Sequence, residues 1–161
     1  MNDISNLTKE GAQMTTNNDI LINAANKVEK FLDDSNYEFV KFDDYTYTVT
    51  RGSSQVMIVI RPFTDNDCVV EFISNVVYET KVNPDLMYYL LRKNSELHFG
   101  GFGLLFDDTV TFSYSVAGKN LDENEFKVAL NSVAIIADYY DDEIIASFGG
   151  KRATDLKEEA V

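Results

Sequence analysis

Cysteine and histidine are almost absent from this sequence, and their scarcity excludes several kinds of site. The 161 residues include one cysteine, Cys68, and one histidine, His98. A single cysteine cannot form a disulfide within the chain, which fits a reducing compartment. No Cys/His cluster has the spacing of zinc ligands, and no serine lies in a G-x-S-x-G motif, so neither a zinc site nor a hydrolase triad is indicated.

Basic residues are also few, and the imbalance argues against two classes of partner. Fourteen Lys and Arg stand against 27 Asp and Glu, a formal net charge of −13. Phosphate backbones and anionic lipid heads repel so acidic a surface, so we expect no nucleic-acid or membrane partner. The N-terminus lacks the pattern of a secretory signal, and no apolar run approaches ~18 residues, so we expect a cytoplasmic protein.

The sequence does contain the pattern of one folded domain. Hydrophobic residues make up 45% of the chain, which is too many for a disordered acidic polymer and enough for a core. Residues 1–18 show no hydrophobic period and are predicted to be a flexible N-terminal tail. Residues 19–150 are predicted to form a single domain, and residues 151–161 a charged C-terminal tail.

Hydrophobic periodicity predicts the secondary structure of this domain. Apolar residues at helical spacing predict helices over 19–33, 84–98 and 123–148, the second capped by Asn83 and the third by Asp122 with Glu125. Strands are predicted over residues 37–42, 45–50, 56–60, 68–78, 102–106 and 110–116. The short turns between strands require antiparallel neighbours.

The predicted order, α-β-β-β(-β)-α-β-β-α, indicates an α+β fold with three helices and one antiparallel sheet of five or six strands. Val56–Ile60 is continuously apolar, so we expect both faces of that strand to be covered. If the helices pack on one face, the other face is available to a partner subunit or to an apolar peptide segment.

Three carboxylates on the last predicted helix are candidates for a metal site. Asp138, Asp141 and Asp142 lie at i, i+3 and i+4, so they share one helix face and could hold a hard cation such as Mg²⁺. The competing interpretation is a solvated acidic face, or ion pairs with Lys151 and Arg152 just beyond the helix. Both interpretations remain open from the sequence.

Five short motifs resemble those of a known bacterial family. They are Leu91–Asn94, Phe99–Leu104, Leu121-Asp122, Ala137–Ile144 and Phe148–Arg152. Together they resemble the YbjN-like proteins, which are grouped with the type III secretion chaperones of the Tir-chaperone (CesT-like) type. The resemblance extends from Ile20 to about Asp155.

The resemblance implies an α+β sandwich with the same order of elements, and a small, acidic, non-enzymatic protein that holds an extended segment of a partner. It brings no catalytic residues and no cofactor. We therefore expect a chaperone-like or regulatory module that binds a polypeptide and acts as a homodimer, with the peptide-binding residues unassigned. The alternative is a metal-binding sensor or metal-dependent enzyme that uses Asp138, Asp141 and Asp142.

Overall fold

Six strands and four helices make up the part of the chain that the computed structural model describes. That part is the backbone of residues 4–158, with the side chains of residues 18–153, 155 and 156. The elements in chain order are α1 (Ile4–Asp34), β1 (Phe39–Asp43), β2 (Thr46–Arg51), β3 (Ser54–Thr64), β4 (Asp67–Val77), α2 (Pro84–Glu96), β5 (Gly101–Leu104), β6 (Val110–Ala117), α3 (Glu123–Phe148) and α4 (Ala153–Glu158).

All six strands join one antiparallel sheet in the order β1-β2-β3-β4-β6-β5. This architecture confirms the predicted α+β class, and the segment 37–42 supplies the sixth strand. Pro62 lies in β3 beyond the last residue that pairs with β2. The missing N–H of Pro62 therefore leaves no hydrogen bond unmade on that side of the strand.

Local capping signals fix the ends of two helices. The Asn83 side chain accepts a hydrogen bond of 2.9 Å from the Leu86 N–H at the start of α2. Asp122 and Glu125 form the predicted reciprocal capping box at the start of α3. Gly149 follows the last residue of α3 with φ +76°, a backbone angle that a residue with a Cβ adopts only under strain.

The first helix is longer than its apolar stripe predicts. The sequence places its start at Asp19, whereas α1 begins at Ile4. Residues 4–18, assigned to a flexible tail from their lack of period, are thus helical in backbone. Hydrophobic periodicity arises where one face of a helix is buried, so this pattern does not detect a helical stretch that lacks an apolar stripe.

The core lies between one face of the sheet and the helices α1 and α3. Phe126 of α3 joins the layers, with its ring centroid 5.5 Å from that of Phe72 on β4 and 5.6 Å from that of Phe31 on α1. Along β3, Val56, Ile58 and Ile60 are buried, whereas Met57 between them is 39% exposed. The expectation that both faces of this strand are covered is therefore wrong.

The segment after α3 is attached to the domain. Lys151 forms an antiparallel bridge with Tyr78, in which each backbone N–H donates to the other residue's carbonyl at 2.8 Å. Arg152 pairs with Asp141 of α3, and the short helix α4 contacts β4. We call residues 151–158, which the sequence assigns to a charged tail, the C-terminal strap. None of the helices described here has the length and hydropathy needed to span a membrane.

Candidate functional site

One face of the sheet carries no packed α1 or α3, and we call it the open face. Strand register assigns to it Val40, Thr46, Thr48, Thr50, Gln55, Met57, Val59, Arg61, Val69, Glu71, Ile73, Asn75, Ser113 and Ser115. Thr48 is buried at 8% exposure, and the others are at least partly exposed. One row crosses the strands through paired residues Val40, Thr48, Met57, Ile73 and Ser113. The row alternates apolar and hydroxyl side chains over part of its length and crosses five strands.

The central part of the open face carries few charges although the chain as a whole is strongly acidic. Two charged side chains there pair with each other, Arg61 Nε lying 3.1 Å from Glu71 Oε2. Val40 is 58% exposed and Met57 is 39% exposed, with Val59 and Ile73 half-buried beside them. An apolar, hydroxyl-bearing surface of this kind gains free energy when a partner covers it.

The two edges of the sheet differ in how their backbone is covered. At the β5 edge, Asn94 of α2 binds the backbone of Phe102: its Nδ2 donates to the Phe102 carbonyl at 3.1 Å, and its Oδ1 accepts from the Phe102 N–H at 2.6 Å. The amide thus takes the place of a neighbouring strand. No described strand pairs with the outer edge of β1, at the other end of the sheet.

The predicted metal-ligand residues have protein partners. Arg152 Nε donates to Asp141 Oδ2 at 3.2 Å, and its guanidinium also contacts Asp142. Asp138 accepts hydrogen bonds from the backbone N–H and the hydroxyl of Ser53, in the β2–β3 turn. The three carboxylates therefore contact an arginine and a serine, and Arg152 competes with any cation for Asp141 and Asp142.

Burial is the main influence on the pKa of Asp141. Asp141 is 7% exposed, and burial raises the pKa of its carboxyl, with the Arg152 charge acting in the opposite direction. Asp142 is largely exposed, with 73% of its side-chain surface in solvent. Within the described residues, no group of three or more His, Cys, Asp and Glu is arranged to hold a metal ion. The metal site stays a prediction without geometric support in that part of the chain.

A cavity of about 150 Å³ lies where the open face meets the end of the sheet, and we call it the corner cavity. Met57 and Ile73 of the open face form one side, Ala137 of α3 forms another, and Ala153 of the C-terminal strap closes a third. Asp141 and Arg152 also line it. The strap therefore contributes part of the wall of a cavity that borders the open face.

The motifs that carry the family resemblance form structural contacts. Lys93 Nζ lies 5.6 Å from the ring centroid of Tyr89 and 5.7 Å from that of Tyr140, and Tyr140 packs edge-on against Phe102. A Cβ at Gly100 would lie 2.6 Å from the Ser113 carbonyl oxygen, so only glycine fits there. These motifs hold α2, α3 and the strap to the sheet, and their positions leave the open face free.

Sequence reasoning did not single out the open-face residues, but a signal for them was present. Gln55 and Arg61 are at odd positions of β3, the same parity as Met57 and Val59. Side chains alternate along a strand, so the odd-numbered side chains of β3 share one side. The polar residues Gln55 and Arg61 at the ends of this set indicate that this side faces solvent. The apolar run between them concealed this alternation.

The comparisons with known proteins agree with this geometry. The family model TY-Chap1, described as "T3SS (YopN, CesT) and YbjN peptide-binding chaperone 1", matches residues 21–156. The chain therefore belongs to this family of peptide-binding chaperone modules, which confirms the resemblance seen in the sequence.

Two further comparisons concern curated proteins and solved structures. No curated protein matches the chain. The crystal structure of YbjN from E. coli is similar at 10% sequence identity, over 73% of this chain and 91% of that chain, with a TM-score of 0.48.

Proposed function

We propose that this protein binds an extended segment of a partner polypeptide on the open face, as a non-enzymatic, chaperone-like module. The observation that carries the proposal is the helix-free face with its exposed Val40 and Met57 and half-buried Val59 and Ile73. The family's description as peptide-binding chaperones supports the same class of ligand.

The chemistry of the open face suits an extended chain. Its apolar side chains take up alternate side chains of the ligand, and threonine and serine hydroxyls between them offer donors and acceptors to peptide groups. Arg61 and Glu71 neutralise each other's charge, so the apolar side chains beside them favour apolar over charged side chains of the ligand. The acidity of the rest of the surface steers basic partner segments toward the protein.

We also propose that the protein is a homodimer that associates through the exposed side of α2. Leu86 and Leu90 are buried on the inner side of this helix, whereas Met87, Tyr88 and Leu91 are 42%, 64% and 67% exposed. The last three side chains lie within one turn and form a single apolar patch. The patch is on a helix that packs beside β5, so its use by a second copy leaves the open face accessible.

A pair of matched substitutions tests the open face and the exposed side of α2 independently. Met57 on the open face and Met87 on α2 have almost the same exposure, 39% and 42%, so glutamate at either position introduces the same charge at a comparably exposed site. Met57→Glu is expected to weaken binding of reduced, alkylated ribonuclease A, a basic unfolded chain, about tenfold, because the lost methionine contact and the cost of desolvating a carboxylate outweigh its attraction for basic residues.

The same substitution is expected to leave the dimer intact, whereas Met87→Glu is expected to produce a monomer and to retain binding of the unfolded chain. Light scattering after size-exclusion chromatography measures the oligomer, and fluorescence anisotropy of the labelled ribonuclease measures binding. Equal affinities for natural protein and Met57→Glu contradict the open face as the binding surface. A natural protein that is monomeric at micromolar concentration contradicts the dimer.

A further inference from the structure

The corner cavity is lined by polar and apolar groups in about equal measure. Met57, Ile73 and Val76 provide much of the apolar wall. The polar part consists of hydroxyl, amide and charged side chains, which belong to Thr48, Ser53, Ser54, Gln55, Asn75, Tyr78, Asp141 and Arg152. An occupant that suits such a lining carries polar atoms as well as methylene groups, because buried polar atoms need hydrogen bonds.

The cavity lies where β3 and β4 separate. The pairing of these strands begins at Val56 with Ser74, so residues 54–55 pair with β2 on one side and have no β4 partner on the other. The gap between the two strands reaches from the open face to α3. Thr48 of the open face and Asp141 of α3 therefore line the same space. A side chain of a segment bound on the open face can enter through this gap.

Two buried hydroxyls in the wall lack a partner. Thr48 and Ser54 are 8% and 7% exposed, and both line the cavity. Neither hydroxyl makes a hydrogen bond within the described part of the chain. Buried polar groups are rarely left unpaired, so water or a ligand in the cavity must supply the missing partners.

The charges in the wall balance each other. Asp141 and Arg152 are the charged residues that line the cavity, and Arg152 Nε donates to Asp141 Oδ2 at 3.2 Å. A charged ligand would have to displace one member of this pair or remain without a counter-charge in an enclosed space. Both are costly, because a buried charge is then left unpaired. The wall therefore favours a neutral occupant.

Size and hydrogen-bonding capacity narrow the choice further. At about 150 Å³ the cavity matches an engineered cavity that binds one benzene molecule, so it has room for one side chain. A carboxamide has two N–H donors and a carbonyl acceptor, and it can bond to both free hydroxyls. The methylene groups of the same side chain cover Met57 and Ile73. A purely apolar side chain would leave the hydroxyls of Thr48 and Ser54 unpaired.

We propose that the corner cavity is a carboxamide site of the open face, which takes one glutamine or asparagine side chain from the bound polypeptide. This proposal rests on the proposed peptide-binding function. It adds to that function a position on the sheet and a class of side chain that the position recognises.

A host peptide with one variable position tests the proposal. The probe is acetylated, fluorescein-labelled Lys-Thr-Val-Lys-X-Lys-Val-Thr-Lys, with Gln or Met at X. The two guests have similar length and the same charge, and they differ in the carboxamide. We expect the full-length natural chain to bind the Gln version about fivefold more tightly, the effect of about one net hydrogen bond. An ordinary apolar surface would instead prefer the Met version. Fluorescence anisotropy at fixed salt measures both affinities.

Two substitutions remove the free hydroxyls with little change of shape. Thr48→Val and Ser54→Ala are each expected to reduce the preference for Gln over Met to less than twofold, and the second variant keeps the test valid if the first does not fold. Thr50→Val is the matched control. It makes the same change on the same strand and face, at an exposed residue that is not among those lining the cavity, and is expected to keep the full preference.

The outcomes separate the carboxamide site from the wider function. If the natural chain binds unfolded ribonuclease A but binds the Gln peptide no more tightly than the Met peptide, the site is refuted and peptide binding stands. The site is also refuted if folded Thr48→Val and Ser54→Ala keep the full preference, because the hydroxyls then bond to water alone. If neither peptide nor the unfolded ribonuclease binds, the proposed function fails and the site fails with it.

Discussion

Replacement of Arg152 by glutamine tests whether the C-terminal strap is a structural part of the domain. The guanidinium joins two carboxylates of different burial: the Asp141 side chain is 10% exposed and the Asp142 side chain is 73% exposed. Exposed ion pairs contribute about 0–1 kcal/mol, whereas breaking a buried pair costs about 3–5 kcal/mol because a charge is left without a partner. Since Arg152 itself is 34% exposed, we expect Arg152→Gln to lower the free energy of unfolding by about 3 kcal/mol at pH 7.

Urea unfolding followed by circular dichroism at 222 nm measures this change, and the absence of tryptophan makes fluorescence a poor probe. Asp142→Asn is the comparison, expected to cost at most about 0.5 kcal/mol because that carboxylate is solvated. Lys119→Gln removes one positive charge at an exposed site and controls for net charge. A loss below about 0.5 kcal/mol for Arg152→Gln would place it among neutral surface changes and refute a structural role for the strap.

The pH dependence of the same variant supplies an independent check. Burial raises the pKa of Asp141, and Arg152 opposes that rise, so loss of Arg152 raises the pKa further. An acid with a raised pKa in the folded state destabilises the fold when ionised and stops doing so once protonated. The difference in free energy of unfolding between natural protein and Arg152→Gln is therefore expected to narrow as the pH falls through the raised pKa of Asp141. A gap that widens on acidification contradicts this account.

Three further substitutions test other contacts. Asn94→Ala removes both hydrogen bonds to the Phe102 backbone and is expected to cost about 2 kcal/mol in urea unfolding, with no loss contradicting the edge contact. Gly150→Ala would place a Cβ 2.4 Å from a valine methyl at φ +110° and is expected to cost about 3 kcal/mol; Gly149→Ala, with open space around it, should cost less. Hydrogen bonds from Lys41 and Tyr47 hold the pKa of Glu29 below its ordinary 4.5, so Glu29→Gln should lower the free energy of unfolding at neutral pH. This difference should vanish as the pH falls through the lowered pKa of Glu29, and a difference that persists there contradicts the pairing.

Signals that act within a few residues predicted the fold well. Asn83 and the Asp122–Glu125 pair cap their helices as expected, because an N-cap bond spans three residues and is encoded locally. The order of strands and helices followed from alternation and turn residues for the same reason. The antiparallel sheet then followed because turns this short cannot connect parallel neighbours.

Features that depend on distant contacts were not predictable in the same way. Whether Met57 is covered depends on where α1 and α3 pack, and the apolar run from Val56 to Ile60 is compatible with one covered face or two. The attachment of the strap depends on the pairing of Arg152 with Asp141 and of Lys151 with Tyr78. The sequence suggested ion pairing with Arg152 as an alternative to a metal site. It could not show whether an arginine or a metal ion binds these carboxylates, because both attract negative charge.

The Asn94 contact at the β5 edge has a consequence for how many copies can associate by strand pairing. A filament grows through a sheet only if every subunit offers two edges, one to receive a neighbour and one to pass the pairing on. Here the Phe102 backbone is already bonded, which leaves the β1 side as the available edge in the described part of the chain. Pairing of two β1 edges would use up that edge in both copies, so strand pairing alone would stop at two subunits.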